Sequence, residues 1–421
     1  MAIATSSTNV QRMLTKNWST LNYRIEYGGF FSNHLLHGVV ALFELGADEE
    51  KLDEFAANYA TKLEKEEPDH EDVLRPEVRS SLPQDKLLTF ESARELRGKR
   101  ENFDGLLALY AAEIQELGID GAVKKHLPLL VGGLAGALLH SIIQLGYAYR
   151  IGGERLVAEG LAYMHYAYLS FDEPSLGAGD ELSEKKPLSR EEALRLVLNL
   201  NSHEFLLGEM RRQVKTKPLA DLDIGDLQRR LSTMSGDPER GSRAAFQLIW
   251  DTVNGYDLST MDGTFALDLV LWLYAMIEHN DFVILHAVTS AWALQQLEHL
   301  LEPADRVRAW KVWLHVSLSA FVTAQIRDLR VSDICELCSD ELPGLDSWSQ
   351  IIARTLGLAE QGVLERDLVH VYKLVQVAHG HGGDMTVRGG VNGKSFLSAE
   401  ERDYITRKSA LKVISVDFGS F

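Results

Sequence analysis

At 421 residues the chain is longer than one hydrophobic core usually serves, so a single extended domain or two fused lobes is expected. With 45% hydrophobic and 25% charged residues it falls outside the disordered class, and its formal charge of −18 repels phosphate backbones and anionic lipid surfaces, which argues against nucleic acid as a partner. Two cysteines do not suggest a disulfide scaffold, and the opening MAIATSSTNVQRMLTKNW lacks the basic-then-apolar order of a secretory signal, so a cytoplasmic setting is expected.

The first apolar segment, FFSNHLLHGVVALFELGA, has helical spacing and carries His34 and His37. EKEEPDHEDVLRPEVRSSLPQDK, charged and broken by proline, reads as an exposed loop. FDGLLALYAAEIQEL repeats apolar residues three and four apart and predicts an amphipathic helix. From Leu127 to Tyr149 no Asp, Glu, Lys or Arg occurs, which is long enough to cross a bilayer. Pro128, several glycines, Ser141, Gln144 and above all His140 fit a crowded protein interior instead, so no membrane span is expected.

FDEPSLGAGDELSEKKPLSREE is a second charged loop, and two lobes, if present, meet near residues 171–188. EEALRLVLNL, TFALDLVLWLYAMIEH, DFVILHAVTSAWAL and DLVHVYKLVQVAH continue the helical period. HGHGGDMTVRGGVNGKS reads as a glycine-rich loop, followed by a short helix from Ser398 and an apolar tail. Alternating apolar and polar runs are nearly absent and no fixed repeat recurs. The expected fold is therefore all-α, a large helical bundle or array.

Several familiar chemistries have no starting point. GGVNGKS ends like a phosphate loop, but Arg388 stands where that motif needs its first glycine, and no strand precedes it. No glycine fingerprint of a dinucleotide fold, no HExxH and no GxSxG occurs. Cys335 and Cys338 have the spacing of a redox or zinc pair but lack a second pair, and read as packing thiols.

The histidines are the unusual feature. His34 and His37 are three residues apart, neighbours on one helical face; His140 and His286 sit inside apolar runs; His370 and Lys373 repeat the three-residue spacing. A single such histidine is usually a hydrogen-bonded core residue, but several together call for a chemical reason. Lys373 either snorkels to water along a helix edge or is buried. Buried beside a metal, its neutral amine can add carbon dioxide and become an anionic carbamate ligand.

Five blocks, FSNHLLHGVVALFELGA, GALLHSIIQLGYAY, EGLAYMHYAYLSF, DFVILHAVTSAWAL and DLVHVYKLV, resemble the questin oxidase-like family in their order, from about residue 30 to residue 380. The resemblance implies a helical fold around an internal non-haem iron(II) site. It implies oxygenase activity that uses O2 to open a ring of a polycyclic aromatic, anthraquinone-type polyketide. His37, His140, His286 and His370 are the implied imidazole ligands, with carboxylated Lys373 as an oxygen ligand. His34 matches the family pattern as well as His37 does. Five donors leave one octahedral position for O2.

His34 and His165 are the candidate proton-transfer residues, and Tyr147, Trp272 and Trp292 the candidate stacking surfaces. His379 and His381 lie in the segment expected to act as a lid. NADPH or a separate reductase is left open as the external reductant, and the oligomeric state is undetermined. Gln144 departs from a histidine common in relatives, and Gly38 from another, which widens the expected pocket. Two rival readings are a non-catalytic helical module binding a flat hydrophobic ligand, and a zinc or manganese hydrolase on the same donors.

Overall fold

A computed structural model describes residues 8–14, 22–65, 88–172, 185–213, 224–324, 344–358, 365–383 and 397–415. Helices dominate these residues. The strands among them are two-residue pairings, Glu26–Tyr27 antiparallel to Phe31–Ser32 and Lys186–Pro187 parallel to Tyr256–Asp257. Cys335, Cys338, the GGVNGKS segment and residues 173–184 between the suggested lobes lie outside the described residues.

Helix starts follow side-chain chemistry. Asp48, Ser189, Ser242, Asp262 and Asp281 each accept a hydrogen bond from a backbone N–H in the first turn of the helix they precede. The helices bury apolar stripes in one contiguous cluster that includes residues as distant in sequence as Leu14 and Val413.

Four helices, Leu35–Glu44, His140–Ile151, Phe282–Leu297 and Glu365–Gly382, form a closed ring in which each packs on the next and the last on the first. Close approach within the ring needs a missing side chain at Gly146, where a Cβ would lie 2.4 Å from that of Ala293. Around the ring, helix Glu154–Tyr166 packs on both Phe103–Leu130 and His140–Ile151, and Ala399–Ser415 packs on Glu365–Gly382 and Gly263–Met276.

The uncharged stretch 127–149 is not one helix. It passes through the end of helix Phe103–Leu130, a 3-10 turn at Val131–Gly133 and a left-handed turn before helix His140–Ile151 begins. Among the described residues no helix is long and apolar enough to cross a membrane. His379 and His381, expected in a loop, end helix Glu365–Gly382. His381 Nε2 lies 2.7 Å from Asp268 Oδ1, and Arg402 grips the same buried carboxylate at 2.7 and 2.9 Å, tying helix Ala399–Ser415 to the core.

Glu298 accepts from Trp310 Nε1 at 2.8 Å and Gly263 N at 3.1 Å, and burial pushes its carboxyl pKa up to about 7. Native protein therefore holds this proton more tightly than unfolded chain, and stability falls as pH rises from about 4.5 to 7. Glu298→Gln keeps one acceptor oxygen without the charge. It is expected to exceed wild type at pH 8 by up to about 3 kcal/mol and to match it near pH 4.5, read from denaturant midpoints at both pH values.

Candidate metal centre

Each helix of the ring brings one imidazole to its centre. His286 and His370 lie on Phe282–Leu297 and Glu365–Gly382, His140 opens its helix, and His34 stands at the N-cap of Leu35–Glu44. All four are buried, and one potential ligand atom from each lies within 4.8 Å of all the others. Donors bound at about 2.1 Å around one ion sit roughly 3 to 4.3 Å apart, so the cluster is slightly wider than a coordination shell and needs only a small contraction to form one.

Hydrogen bonding fixes which nitrogen faces inward. His34 Nδ1 meets the Ser32 carbonyl, His140 Nδ1 the Ala137 carbonyl and His286 Nδ1 the Phe282 carbonyl, each at 2.6 Å. A carbonyl only accepts, so Nδ1 carries the proton in all three rings and Nε2 presents a bare lone pair. His140 Nε2 nevertheless lies 2.8 Å from His34 Nε2 and 3.0 Å from His286 Nε2. Lone pairs at these distances repel, and a cation shared among them removes the conflict.

Protonating the rings is a poor alternative. Burial, then the neighbouring Lys373 charge, pulls His140 down to about 3. Burial first, followed by Lys373 and the other imidazoles for His34 and by the other imidazoles and Lys373 for His286, holds both well below the ordinary histidine value.

Lys373 is fully buried, its Nζ has no hydrogen-bond partner, and burial lowers its pKa to about 7. It does not reach water along a helix edge. The four-histidine group contains no carboxylate, so a divalent ion there would keep its whole charge in a buried site unless an anion joined it. A carbamate on Lys373 is an anion that the neighbouring side chain could supply.

His37 is outside this group. Its ring centroid is 5.2 Å from that of His34, and it stacks on Tyr147 at 5.1 Å and 26°. Burial, then Lys373 and His140, keep its pKa well below normal, with Gln144 acting in the opposite direction. Gln144 itself donates to the buried Glu159 at 2.8 Å. Trp292 packs on Tyr147 at 4.4 Å, whereas Trp272 is buried on helix Gly263–Met276. Gly38 does not widen the pocket, because a Cβ there would lie 2.1 Å from Phe55 Cζ: the phenyl ring already fills the space.

His165 lines a cavity with Tyr110 and His126. Its Nε2 donates to the Ala93 carbonyl at 2.7 Å, leaving Nδ1 to accept from the Tyr110 hydroxyl at 3.0 Å. Both ring nitrogens are engaged.

Sequence reasoning missed the turn that delivers His140. Ala137, Leu138 and Leu139 have φ of 51°, 55° and 69°, three consecutive non-glycine residues in the left-handed region. Each such residue costs roughly 1–2 kcal/mol, and such strain tends to collect at functional sites. Gly136 precedes the turn, but no glycine or asparagine stands at any of its three left-handed positions. A cavity of about 210 Å³ lies against it, lined by the apolar Phe30, Ala137 and Leu138 and by Arg100, Arg229 and Arg240 among others. Ala137→Gly removes one methyl and its left-handed penalty, partly offset by glycine's greater unfolded entropy. A gain of about 0.5–1 kcal/mol is expected from urea unfolding of the metal-free protein.

A second unforeseen feature leads outward: the Tyr147 hydroxyl donates to Gln376 at 2.9 Å, Gln376 donates to Glu44 at 2.6 Å, and Arg150 holds Glu44 at 2.5 Å. Tyr147 and Arg150 share one helix, but Glu44 and Gln376 are far from them in sequence, and no local pattern joins the three segments.

No curated protein matches the chain. A family model described as Questin oxidase-like matches residues 31–378, a span that contains all four clustered histidines and Lys373. The chain belongs to the questin oxidase-like family.

Proposed function

We propose that the chain is a non-haem iron-dependent oxygenase that uses O2 to open a ring of a polycyclic aromatic, anthraquinone-type substrate. The observation that carries this reading is the convergence of bare Nε2 lone pairs from His34, His140 and His286, each ring anchored through Nδ1 to a carbonyl. His370 completes an all-imidazole set, a donor type suited to iron, zinc, copper or nickel, and the family name favours the redox ion. A pure binding module would have no use for this arrangement.

Lys373, as the carbamate, would supply the anion that the imidazoles lack. Its formation balances as amine plus carbon dioxide giving carbamate plus one proton. When bound, iron supplies one-electron chemistry toward O2. The chain's own part is to hold the imidazoles in one tautomer, exclude water from a centre in which His286 and Lys373 have no exposure, and present aromatic surfaces at Tyr147 and Trp292. His37, neutral and next to His34, is the better-placed proton acceptor for a hydroxyaromatic, ahead of His165 with its two committed nitrogens.

The test is anaerobic loading with iron(II) or zinc in the presence of bicarbonate, followed by metal analysis and O2 uptake with a reduced hydroxyanthraquinone, with and without NADPH. Near-stoichiometric iron, with uptake confined to the iron form and incorporation of labelled oxygen into a ring-opened product, is expected. Failure to retain iron, or iron-loaded protein that leaves O2 untouched across tricyclic hydroquinones, would overturn it.

A further inference from the structure

A separate recess lies between residues 90–97 and helices Phe103–Leu130 and Glu154–Tyr166. Its volume is about 430 Å³, and Phe90, Tyr110 and His126 form its aromatic part while Arg94, Arg97 and Lys125 bring positive charge. The chain as a whole carries −18, so this is a local reversal of sign. Counter-charges are present: Glu91 is in the lining, and Glu113 behind it pairs with Lys125 and lies 3.7 Å from His126 Nε2. Three cations against two carboxylates leave an excess of one, matching a monoanion.

The walls select the rest of the ligand. Phe90 and His126 stack at 4.4 Å and 24°, while Tyr110 stands edge-on to His126 at 5.2 Å and 88°, so the recess offers aromatic faces in two orientations. Leu129, 51% exposed, adds an apolar rim. His126 is 3% exposed, and its Nε2 has no hydrogen-bond partner although the residue lines the recess. That nitrogen is closed off from the recess and faces the Glu113 carboxylate at 3.7 Å, so His126 serves as a wall. The Tyr110 hydroxyl proton is committed to His165, so its oxygen can accept but not donate there. Recognition of an anion therefore falls to the arginines.

We propose that this recess is a binding site for an aromatic monocarboxylate, the carboxylate held near Arg94 and Arg97 and the rings against Phe90, Tyr110 and His126. The ligand class follows from the recess alone. Its link to turnover rests on the oxygenase reading: oxidative cleavage beside a quinone carbonyl, followed by hydrolysis, leaves an aryl carboxylic acid, so product or a close analogue would be the natural occupant.

The probe is 2-benzoylbenzoate, with neutral benzophenone as control, titrated calorimetrically into the full chain in metal-free and iron-loaded forms. The acid is expected to bind at least about tenfold more tightly than the ketone, and Arg94→Ala to weaken it by about tenfold while leaving benzophenone unchanged. Arg97→Ala is expected to weaken the acid similarly. The exposed Arg94 variant keeps the test valid should Arg97→Ala misfold. His286→Ala should leave acid binding intact. No acid binding, equal binding of acid and ketone, or binding lost in His286→Ala but kept in Arg94→Ala would overturn the proposal. Failure of the oxygenase reading is visible separately, as absent O2 uptake in protein that still binds the acid.

Discussion

His34→Ala is expected to bind iron(II) about a hundredfold or more weakly than wild type, whereas His37→Ala stays within about threefold. The two histidines are three residues apart, yet they stand in different relations to the cluster. His34 is the N-cap, with φ −105° and ψ 10°, and its side chain makes no capping bond, so truncation need not fray helix Leu35–Glu44. Its backbone N–H still donates to the Tyr59 hydroxyl at 3.2 Å. What the truncation removes is an Nε2 lone pair 2.8 Å from that of His140.

His37 is inside the helix and presents its ring to Tyr147. Its loss should appear in turnover and in the pH profile rather than in metal content. Equilibrium metal titration against a competing chelator reads the first effect, and O2 uptake by iron-loaded His37→Ala the second. Equal metal loss in both variants would place His37 in the coordination shell and sink the distinction drawn here.

This pair also shows where sequence reading stops. Three-residue spacing puts two side chains on one face only if both residues are helical, and His34 is not. The apolar period of the ring helices is a local signal and was legible, as were the histidines set within it. Closure of the four helices into a ring is not local: residues 34, 140, 286 and 370 meet only through tertiary packing. His140 read as lying inside an apolar run, but the helix that carries it begins at His140 itself after a left-handed turn of ordinary residues. Turn recognition from sequence depends on glycine, asparagine or aspartate at left-handed positions, and Ala-Leu-Leu gives no such sign. Gly38 failed for a related reason: a missing side chain predicts space only if no neighbour occupies it, and Phe55 comes from the following helix, Glu49–Ala60.

Lys373→Met is expected to act with opposite signs on stability and on metal binding. In metal-free protein the amine is fully buried without a hydrogen-bond partner, and burial lowers its pKa to about 7, against roughly 10.4 in the unfolded chain. Unfolded chain therefore binds this proton more tightly, and native stability rises with pH between about 7 and 10.4; below that window both states are protonated and the full penalty applies. The shift corresponds to about 4 kcal/mol as an upper figure. Metal-free Lys373→Met should then exceed metal-free wild type by about 2–4 kcal/mol at pH 7, with the advantage shrinking toward pH 10, in urea midpoints measured across that range. His34, His37, His140 and His286 face the amine in wild type, and its charge is one of the causes that hold their pKa values down; Lys373→Met removes that cause, so their titration shifts toward the ordinary histidine range and the comparison is read at pH 7 and above.

The metal reverses the balance if the amine becomes an anion beside it. Wild type should take up iron more tightly with bicarbonate than in carbon dioxide-free buffer, and Lys373→Met should show weak binding under both conditions. A variant that is more stable when metal-free yet binds iron as wild type does would make Lys373 a buried bystander. A variant with no stability gain at pH 7 would mean that the ammonium already finds compensation in the native protein. Only the predicted combination, with bicarbonate dependence lost at the same substitution that relieves the buried charge, assigns the lysine a place in the coordination shell.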